Sequence, residues 1–292
     1  MLTIVHGSDL HFGRPHDAGA AEDFMRAIHA RCPDLLVLSG DFTQRAKVEE
    51  YQAARGWLDR LPEGLPVVVT PGNHDVPLYR VWERLTNPFG NYRRWISPDL
   101  DSVTRIPGAV VVSLNSAAPR RAITNGRLDP DQLSFARRAF ASAERGDARL
   151  VVVHHHLAPA PDYERDRPLP GARRILEAFE EMQVDMILSG HLHRAYIGNS
   201  LDVFQGGNRD RGVVIVQSGT TTSRRGRARE RAKQSFNHVR IFRSRLEVVH
   251  HMHFEKAGGF APFSAHVFPR TPGHWFEGDP FHEAPVTEGG EG

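Results

Sequence analysis

The chain has 292 residues, 40 % hydrophobic and 25 % charged, which suits a soluble globular protein of one large domain or two small ones. Lys and Arg number 37 against 35 Asp and Glu, and the formal charge of +2 is too small by itself to argue for a nucleic-acid partner. A single cysteine, Cys32, excludes an internal disulfide framework and a thiolate cluster, and no apolar run is long enough for a signal peptide or a membrane span, so a cytoplasmic location is expected.

Leu2 to His6 reads as a buried first strand that delivers Ser8-Asp9-Leu10-His11 at its carboxyl end. Ala18 to Arg31 is helical in pattern, with Ala21, Phe24, Met25 and Ile28 at three-to-four spacing. Leu35 to Leu38 is a second strand, ending in Ser39-Gly40-Asp41, and a helix over Val48 to Arg60 follows. Val67 to Val69 is a third strand, ending in Gly72-Asn73-His74-Asp75. Three such units argue for a mostly parallel sheet, in which ligands gather beyond the carboxyl ends of the strands. Residues 76–107 break the pattern, with a short helix over Leu78 to Leu85 and an aromatic, basic stretch from Asn87 to Trp95. This reads either as a cap-like insertion shaping a substrate pocket or as a surface excursion anchored by Trp82, Phe89 and Trp95.

Ala109 to Leu114 resumes strand character, and Asp129 to Ala143 is an amphipathic helix with Asp129 as N-cap and Pro130 at its first position. Leu150 to Val153 is a strand running into His154-His155-His156; Ala158 to Pro170 is a loop and Ala172 to Met182 a helix. Met186 to Leu188 leads to Gly190-His191-Leu192-His193, where two imidazoles would share one face of an extended strand end. Val213 to Val216, Phe236 to Phe242 and Leu246 to Phe254 are expected to complete a second sheet as antiparallel strands. His251-Met252-His253 lacks an acidic cluster and reads as plain strand. Residues 1–255 form one domain, and 256–292 read as a tail that is either a strap held through Phe260, Phe263, Phe268 and Trp275 or partly disordered.

The candidate donors are carboxylate, amide and imidazole with no thiolate, a mixture that suits manganese, iron or zinc. A carboxylate shared between two cations roughly 3.5–4 Å apart lets them acidify a bridging water and hold both oxygens of an in-line phosphoryl displacement. Asp9 and Asp41 taken singly also read as N-caps of the following helices, which leaves His11 and His74 unexplained.

Asp9-x-His11, Gly40-Asp41, Gly72-Asn73-His74-Asp75, a His-rich strand end and Gly190-His191-x-His193, in this order, resemble the calcineurin-like metallophosphoesterase superfamily from residue 3 to about residue 195. The resemblance implies an α/β fold, a two-sheet αββα sandwich, with two divalent or trivalent ions (Mn, Fe or Zn). One ion would be held by Asp9, His11, Asp41 and His193. The other would take Asp41, Asn73, His191 and one histidine of the 154–156 run. Family members often carry His-x-Pro there, the ligand standing two before the proline; Leu157 replaces that proline, so His155 is the choice. His154 competes, because a one-residue slip swaps the faces, and His156 would contact substrate or face solvent. His74 resembles the family histidine that protonates or hydrogen-bonds the leaving-group oxygen, with Asp75 orienting its ring.

Within the superfamily, the Ser8-Asp9-Leu10-His11-Phe12-Gly13 opening, the Asn-His-Asp block and the Gly-His-Leu-His close are most similar to bacterial cyclic-nucleotide and glycerophosphodiester phosphodiesterases. That implies hydrolysis of small anionic phosphodiesters, 3′,5′-cyclic nucleotides among them, by a metal-bridging hydroxide. The alternatives are a pyrophosphatase of a nucleotide-lipid such as a UDP-acylglucosamine, a phosphomonoesterase, or a metal-bound interaction module without turnover. Arg224 to Arg231 reads as a phosphate-binding segment or a solvated loop, and lacks the interleaved aromatics of a single-strand nucleic-acid surface. A homodimer is left open.

Overall fold

A computed structural model of the chain describes residues 1–120, 126–158, 167–204 and 212–270. In chain order its elements begin β1 (Leu2–Gly7), α1 (Ala18–Arg31), β2 (Leu35–Leu38), α2 (Val48–Leu58), β3 (Val67–Val69), α3 (Val81–Thr86), α4 (Gly90–Trp95), β4 (Ser102–Ile106) and β5 (Ala109–Leu114). They continue α5 (Pro130–Ala141), β6 (Ala148–Val153), α6 (Ala172–Glu181), β7 (Met186–Ser189), β8 (Tyr196–Asn199), α7 (Ser200–Val203), β9 (Val214–Gln217), β10 (Ser235–Ile241), β11 (Arg245–Phe254) and β12 (Gly259–Pro269).

Two sheets of six strands result, ordered β12-β11-β10-β1-β2-β3 and β4-β5-β6-β7-β9-β8. The uninterrupted apolar runs are buried on both faces, as parallel strands between two layers must be. Alternate residues serve different cores. Ile4, Val37, Val68 and Val239 meet Val111, Val152, Leu188 and Val216 between the sheets. Their neighbours Val5 and Leu36 pack under Phe24, Ile28, Tyr51 and Trp57 of α1 and α2. On the far side Val112, Val151 and Ile187 pack under Phe140, Ile175 and Phe179 of α5 and α6. The result is the αββα sandwich, with each fully buried large side chain contributing roughly 1.5–3 kcal/mol.

Three expectations change. First, β10 and β11 join the first sheet: β10 pairs antiparallel with β1, Leu2 opposite Ile241 and His6 opposite Asn237. Since β2 and β3 extend from one side of β1, its other edge is open to them, a nonlocal choice that strand pattern does not encode. Second, the start of the expected tail is strand β12, paired with β11 along its length. Phe260 and Phe268 pack on the two cores, while Trp275 lies outside the described residues, as does part of the loop expected over 158–170. Third, β4 is already part of the second sheet, so the excursion between β3 and β4 is shorter than 76–107. Tyr92 anchors it, fully buried and edge-on to Phe42 at 6.1 Å, whereas Trp82 is 79 % exposed. Asp129 does stand at the N-cap of α5 with Pro130 next, and Cys32 is the left-handed C-cap of α1. His251 is a buried strand residue stacked on Phe236. Among the described residues no helix is long and apolar enough to cross a membrane.

A polar rung crosses the first sheet near the carboxyl end of β1. His250 Nδ1–H donates to Asn237 Oδ1 at 2.9 Å, and Asn237 Nδ2 lies 3.4 Å from His6 Nδ1. His6 Nε2–H donates to Ser39 Oγ at 2.9 Å. Burial lowers both imidazoles from the ordinary 6.5 to about 3. Their folded pKa lies below the unfolded one, so the stability they contribute is present above pH 6.5 and is lost as pH falls towards 3. Each group removes up to about 1.4 kcal/mol per pH unit across that window. Urea midpoints of wild type and His250→Gln, compared at pH 7 and pH 5, should show a smaller acid loss in the variant; equal losses would contradict this account.

Candidate metal centre

At the ends of β1, β2 and β7 the chain does not run on extended. Asp9, His11, Asp41, His191 and His193 have φ of 54°, 46°, 54°, 76° and 56°. A left-handed backbone costs an L residue roughly 1–2 kcal/mol. Five such residues in one place are strain stored where geometry matters. The two imidazoles of the Gly-His-Leu-His block therefore converge through a turn, and not through strand alternation. Backbone bonds tie the turns together: Asp9 N–H donates to the Gly40 carbonyl at 3.0 Å and His11 N–H to the Asp41 carbonyl at 2.9 Å. His191 N–H donates to Asp9 Oδ2 at 3.0 Å, and His74 N–H to Asp41 Oδ1 at 2.8 Å. The approach is so close that a Cβ at Gly72 would collide with the Asp41 carboxylate, and one at Gly190 with Ser8 and Asp9.

Asp9, His11, Asp41 and His193 are buried and present one ligand atom each, all within 4.8 Å of one another. His193 Nε2 lies 3.2 Å from Asp9 Oδ1 and 3.0 Å from His11 Nε2; His11 Nε2 lies 3.7 Å from Asp41 Oδ2. Asp9 Oδ1 and Asp41 Oδ2 are buried without a hydrogen-bond partner among the described residues. Two such oxygens facing two imidazole nitrogens fit a cation, which would satisfy all four at once. Burial alone would raise the Asp9 carboxyl, but the His11 and His193 imidazoles beside it hold it well below the usual range. Burial lowers His11 to about 4, keeping it neutral as a ligand must be.

A second donor group adjoins the first. Asn73 Oδ1 lies 3.0 Å from His191 Nδ1 and 3.1 Å from His154 Nε2, and His154 Nε2 lies 3.5 Å from Asp41 Oδ1. His154 Nδ1–H donates to the Ser39 carbonyl at 2.8 Å, which aims Nε2 inward. His154 Nε2 is thus the nitrogen brought beside Asn73 and Asp41, while the expected His155 has Nδ1 on Ser116 Oγ at 2.8 Å and Nε2 buried without a hydrogen-bond partner among the described residues. The strand ends at Val153, so its alternation does not extend into the histidines. His156 is buried and stacked on His191 at 5.6 Å, away from solvent. Burial would lower His154, yet Asp41 and Asp9 lift it to about 9, so a proton and a cation compete for its Nε2.

Neither Asp9 nor Asp41 caps a helix: the N-caps of α1 and α2 are Asp17 and Lys47. His74 stands edge-on to His11 with ring centroids 4.8 Å apart. Its Nδ1–H donates to the Gln44 carbonyl at 2.8 Å, so Gln44 orients the ring and Asp75 does not. The Asp75 carboxylate accepts backbone N–H bonds from Gly72 at 2.9 Å, Thr43 at 2.9 Å and Phe42 at 3.1 Å, clamping the Asn73-His74 loop to the Asp41 loop. Burial and the Asp41 charge push it up to about 7 against those donors. Sequence reasoning missed Gln44, Ser39 and Ser116; the first two act here through main-chain carbonyls, which no side chain advertises.

The model of one family, calcineurin-like phosphoesterase, matches residues 2–195. The chain belongs to this family. A probable cyclic nucleotide phosphodiesterase of Synechococcus sp. is 34 % identical over 180 residues, which span 60 % of this chain and 64 % of that protein, just under two thirds of its length. A UDP-2,3-diacylglucosamine pyrophosphatase of Chlamydia muridarum is 36 % identical over 78 residues, 27 % of this chain and 24 % of that one. The fold is shared with a purple acid phosphatase from Lupinus luteus: TM-score 0.69, 13 % identity, covering 92 % of this chain and 54 % of that one. Family membership and the buried Asp/His cluster support a metal-dependent hydrolase. A second donor set built on His154 predicts that His154→Ala retains about one equivalent of manganese while His155→Ala retains two. Measured metal content in the reverse pattern would return the assignment to His155.

Proposed function

We propose that the chain hydrolyses small phosphodiesters, 3′,5′-cyclic nucleotides among them, with two cations sharing Asp41. Asp9, His11, Asp41 and His193 would hold one, and Asp41, Asn73, His154 and His191 the other. The observation that carries the reading is the Asp41 carboxylate, which faces both donor groups, with His74 alongside. When bound, the cations supply a water acidified to near-neutral pKa and neutralise charge developing on phosphorus oxygens.

The protein's own part follows from its tautomers. Because Nδ1–H of His74 is committed to the Gln44 carbonyl, Nε2 is the atom that exchanges a proton. The attacking water forms a bond from its oxygen to phosphorus and gives up a proton to solvent, the bond from phosphorus to the ester oxygen breaks, and that oxygen takes the proton carried on Nε2 by the imidazolium form of His74, which the ring regains from solvent. The Gln44 carbonyl keeps the ring in place, and Asp75 clamps the loop that carries it. Diester preference is supported by the relative from Synechococcus sp. and its 34 % identity. A second reading, cleavage of a nucleotide-lipid pyrophosphate, is supported by the apolar group beside the Asn73-His74 loop: Tyr79 and Trp82 are 75 % and 79 % exposed, and Leu78, Val81 and Leu85 also face outward.

Manganese-loaded protein, given a bis-aryl phosphodiester, an aryl phosphomonoester, cyclic AMP and a UDP-linked acylglucosamine side by side, should turn over the diester well above the monoester. Chelator and Asp41→Asn should abolish that turnover. Turnover of the monoester or the UDP-lipid alone would overturn the diester reading. His74→Ala should keep its manganese and lose on the order of 10²–10⁴ in turnover, more for alkyl than for aryl leaving groups; an unchanged alkyl rate would remove His74 from the mechanism.

A further inference from the structure

The segment after β9 crosses the mouth of the centre and is tied down on both sides. Thr221 N–H donates to the Ser8 carbonyl at 2.9 Å, and Thr222 Oγ1–H to the Leu10 carbonyl at 2.7 Å. Arg224 N–H donates to the Pro15 carbonyl at 3.2 Å, and its guanidinium pairs with Asp17 at 2.8 Å. Those contacts belong to the loop of Asp9 and His11. Further on, Arg227 N–H donates to the His193 carbonyl at 2.9 Å. Buried Glu230 accepts Ala195 N–H and the Ser235 hydroxyl, each at 2.8 Å. The His193 and Ala195 contacts belong to the loop of His191 and His193, and Ser235 opens β10. Arg225 sits between the two sets of ties, so its placement is determined by the same loops that carry the ligands.

Its guanidinium lies over the centre. Nη1 is 3.2 Å from His74 Nε2 and 3.1 Å from Gln44 Oε1. Neither partner is a carboxylate, and among the described residues no carboxylate pairs with Arg225, whereas Arg224 just before it has Asp17. Burial lowers its pKa while Asp41 and Asp9, facing it from farther off, raise it. A partly buried cation without a counterion, beside the atom proposed to protonate the leaving oxygen, is arranged for an anion that arrives from outside.

We infer that Arg225 is the phosphate ligand of this site, its guanidinium taking a non-bridging oxygen of the phosphoryl group whose leaving oxygen lies against His74. The inference rests on the reading of the centre as a phosphoryl site. It assigns to one residue what the sequence leaves spread over Arg224 to Arg231.

The test is calorimetric binding of inorganic phosphate to manganese-loaded wild type, Arg225→Ala, Arg225→Gln and Arg229→Ala. Arg229 lies over the Phe263 ring at 5.7 Å, so its variant removes the same charge without touching the centre. Arg225→Gln keeps a donor for His74 but no charge, which separates phosphate binding from support of the imidazole. Both Arg225 variants should retain manganese and weaken phosphate on the order of 10- to 100-fold, with Arg229→Ala within about twofold of wild type. The diester KM should rise in parallel. Phosphate affinity unchanged in Arg225→Ala, restored in Arg225→Gln, or lost equally in Arg229→Ala would overturn the assignment, as would loss of manganese from the Arg225 variants. Phosphate binding that depends on Arg225 in a protein that hydrolyses no diester would leave Arg225 standing and overturn the proposed reaction.

Discussion

The carboxylate of Asp41 is the interaction through which the rest of the centre is assembled. One oxygen accepts His74 N–H and stands near His154; the other faces His11 and has no hydrogen-bond partner among the described residues. Asp41 stands just past β2, between β1 and the edge strand β3 of the first sheet, and His154 just past β6, in the second. A carboxylate buried this deeply is tolerable only when surrounded by groups that favour its charge, and His154, His74 and His11 do so from three directions. Neutral imidazole and amide donors would leave such a site net positive once cations are bound.

The sandwich provides the rigidity this arrangement requires. Three apolar layers, one between the sheets and one under each helical face, hold the strand ends in register, and the left-handed turns beyond them are locked by backbone hydrogen bonds from one loop to the next. Strain at five ligand-bearing residues persists because the surrounding contacts over-determine it. The parallel strands end on one side, so short turns suffice to bring ligands from both sheets within one coordination distance.

Much of this was legible in the sequence because burial on both faces writes itself as uninterrupted Val, Leu and Ile, and the glycines and acids that follow mark where each strand stops. Asp9, His11, Asp41, Asn73, His191 and His193 are found together for that reason. Where sequence and geometry point to different residues, the sequence reading relied on neighbours along the chain. His155 was preferred by setting Leu157 in the place of the proline of the family motif, whereas the strand ends at Val153 and the turn beyond it brings His154 Nε2 beside Asn73 and Asp41. Asp75 was given the ring of His74 because it is adjacent, but its carboxylate serves three backbone N–H groups and a carbonyl on Gln44 serves the ring. The sheet to which β10, β11 and β12 belong is a nonlocal choice, and Arg225 stood out from its neighbours only once the ties on either side of it were visible.

The central claim is that Asp41 bridges two cations, and anomalous diffraction at the manganese edge from crystals grown with manganese tests it most directly. Two peaks roughly 3.5–4 Å apart, one among Asp9, His11, Asp41 and His193 and the other among Asp41, Asn73, His154 and His191, are the predicted result. A single peak, or a second one coordinated by His155 with Asp41 outside its shell, would contradict it.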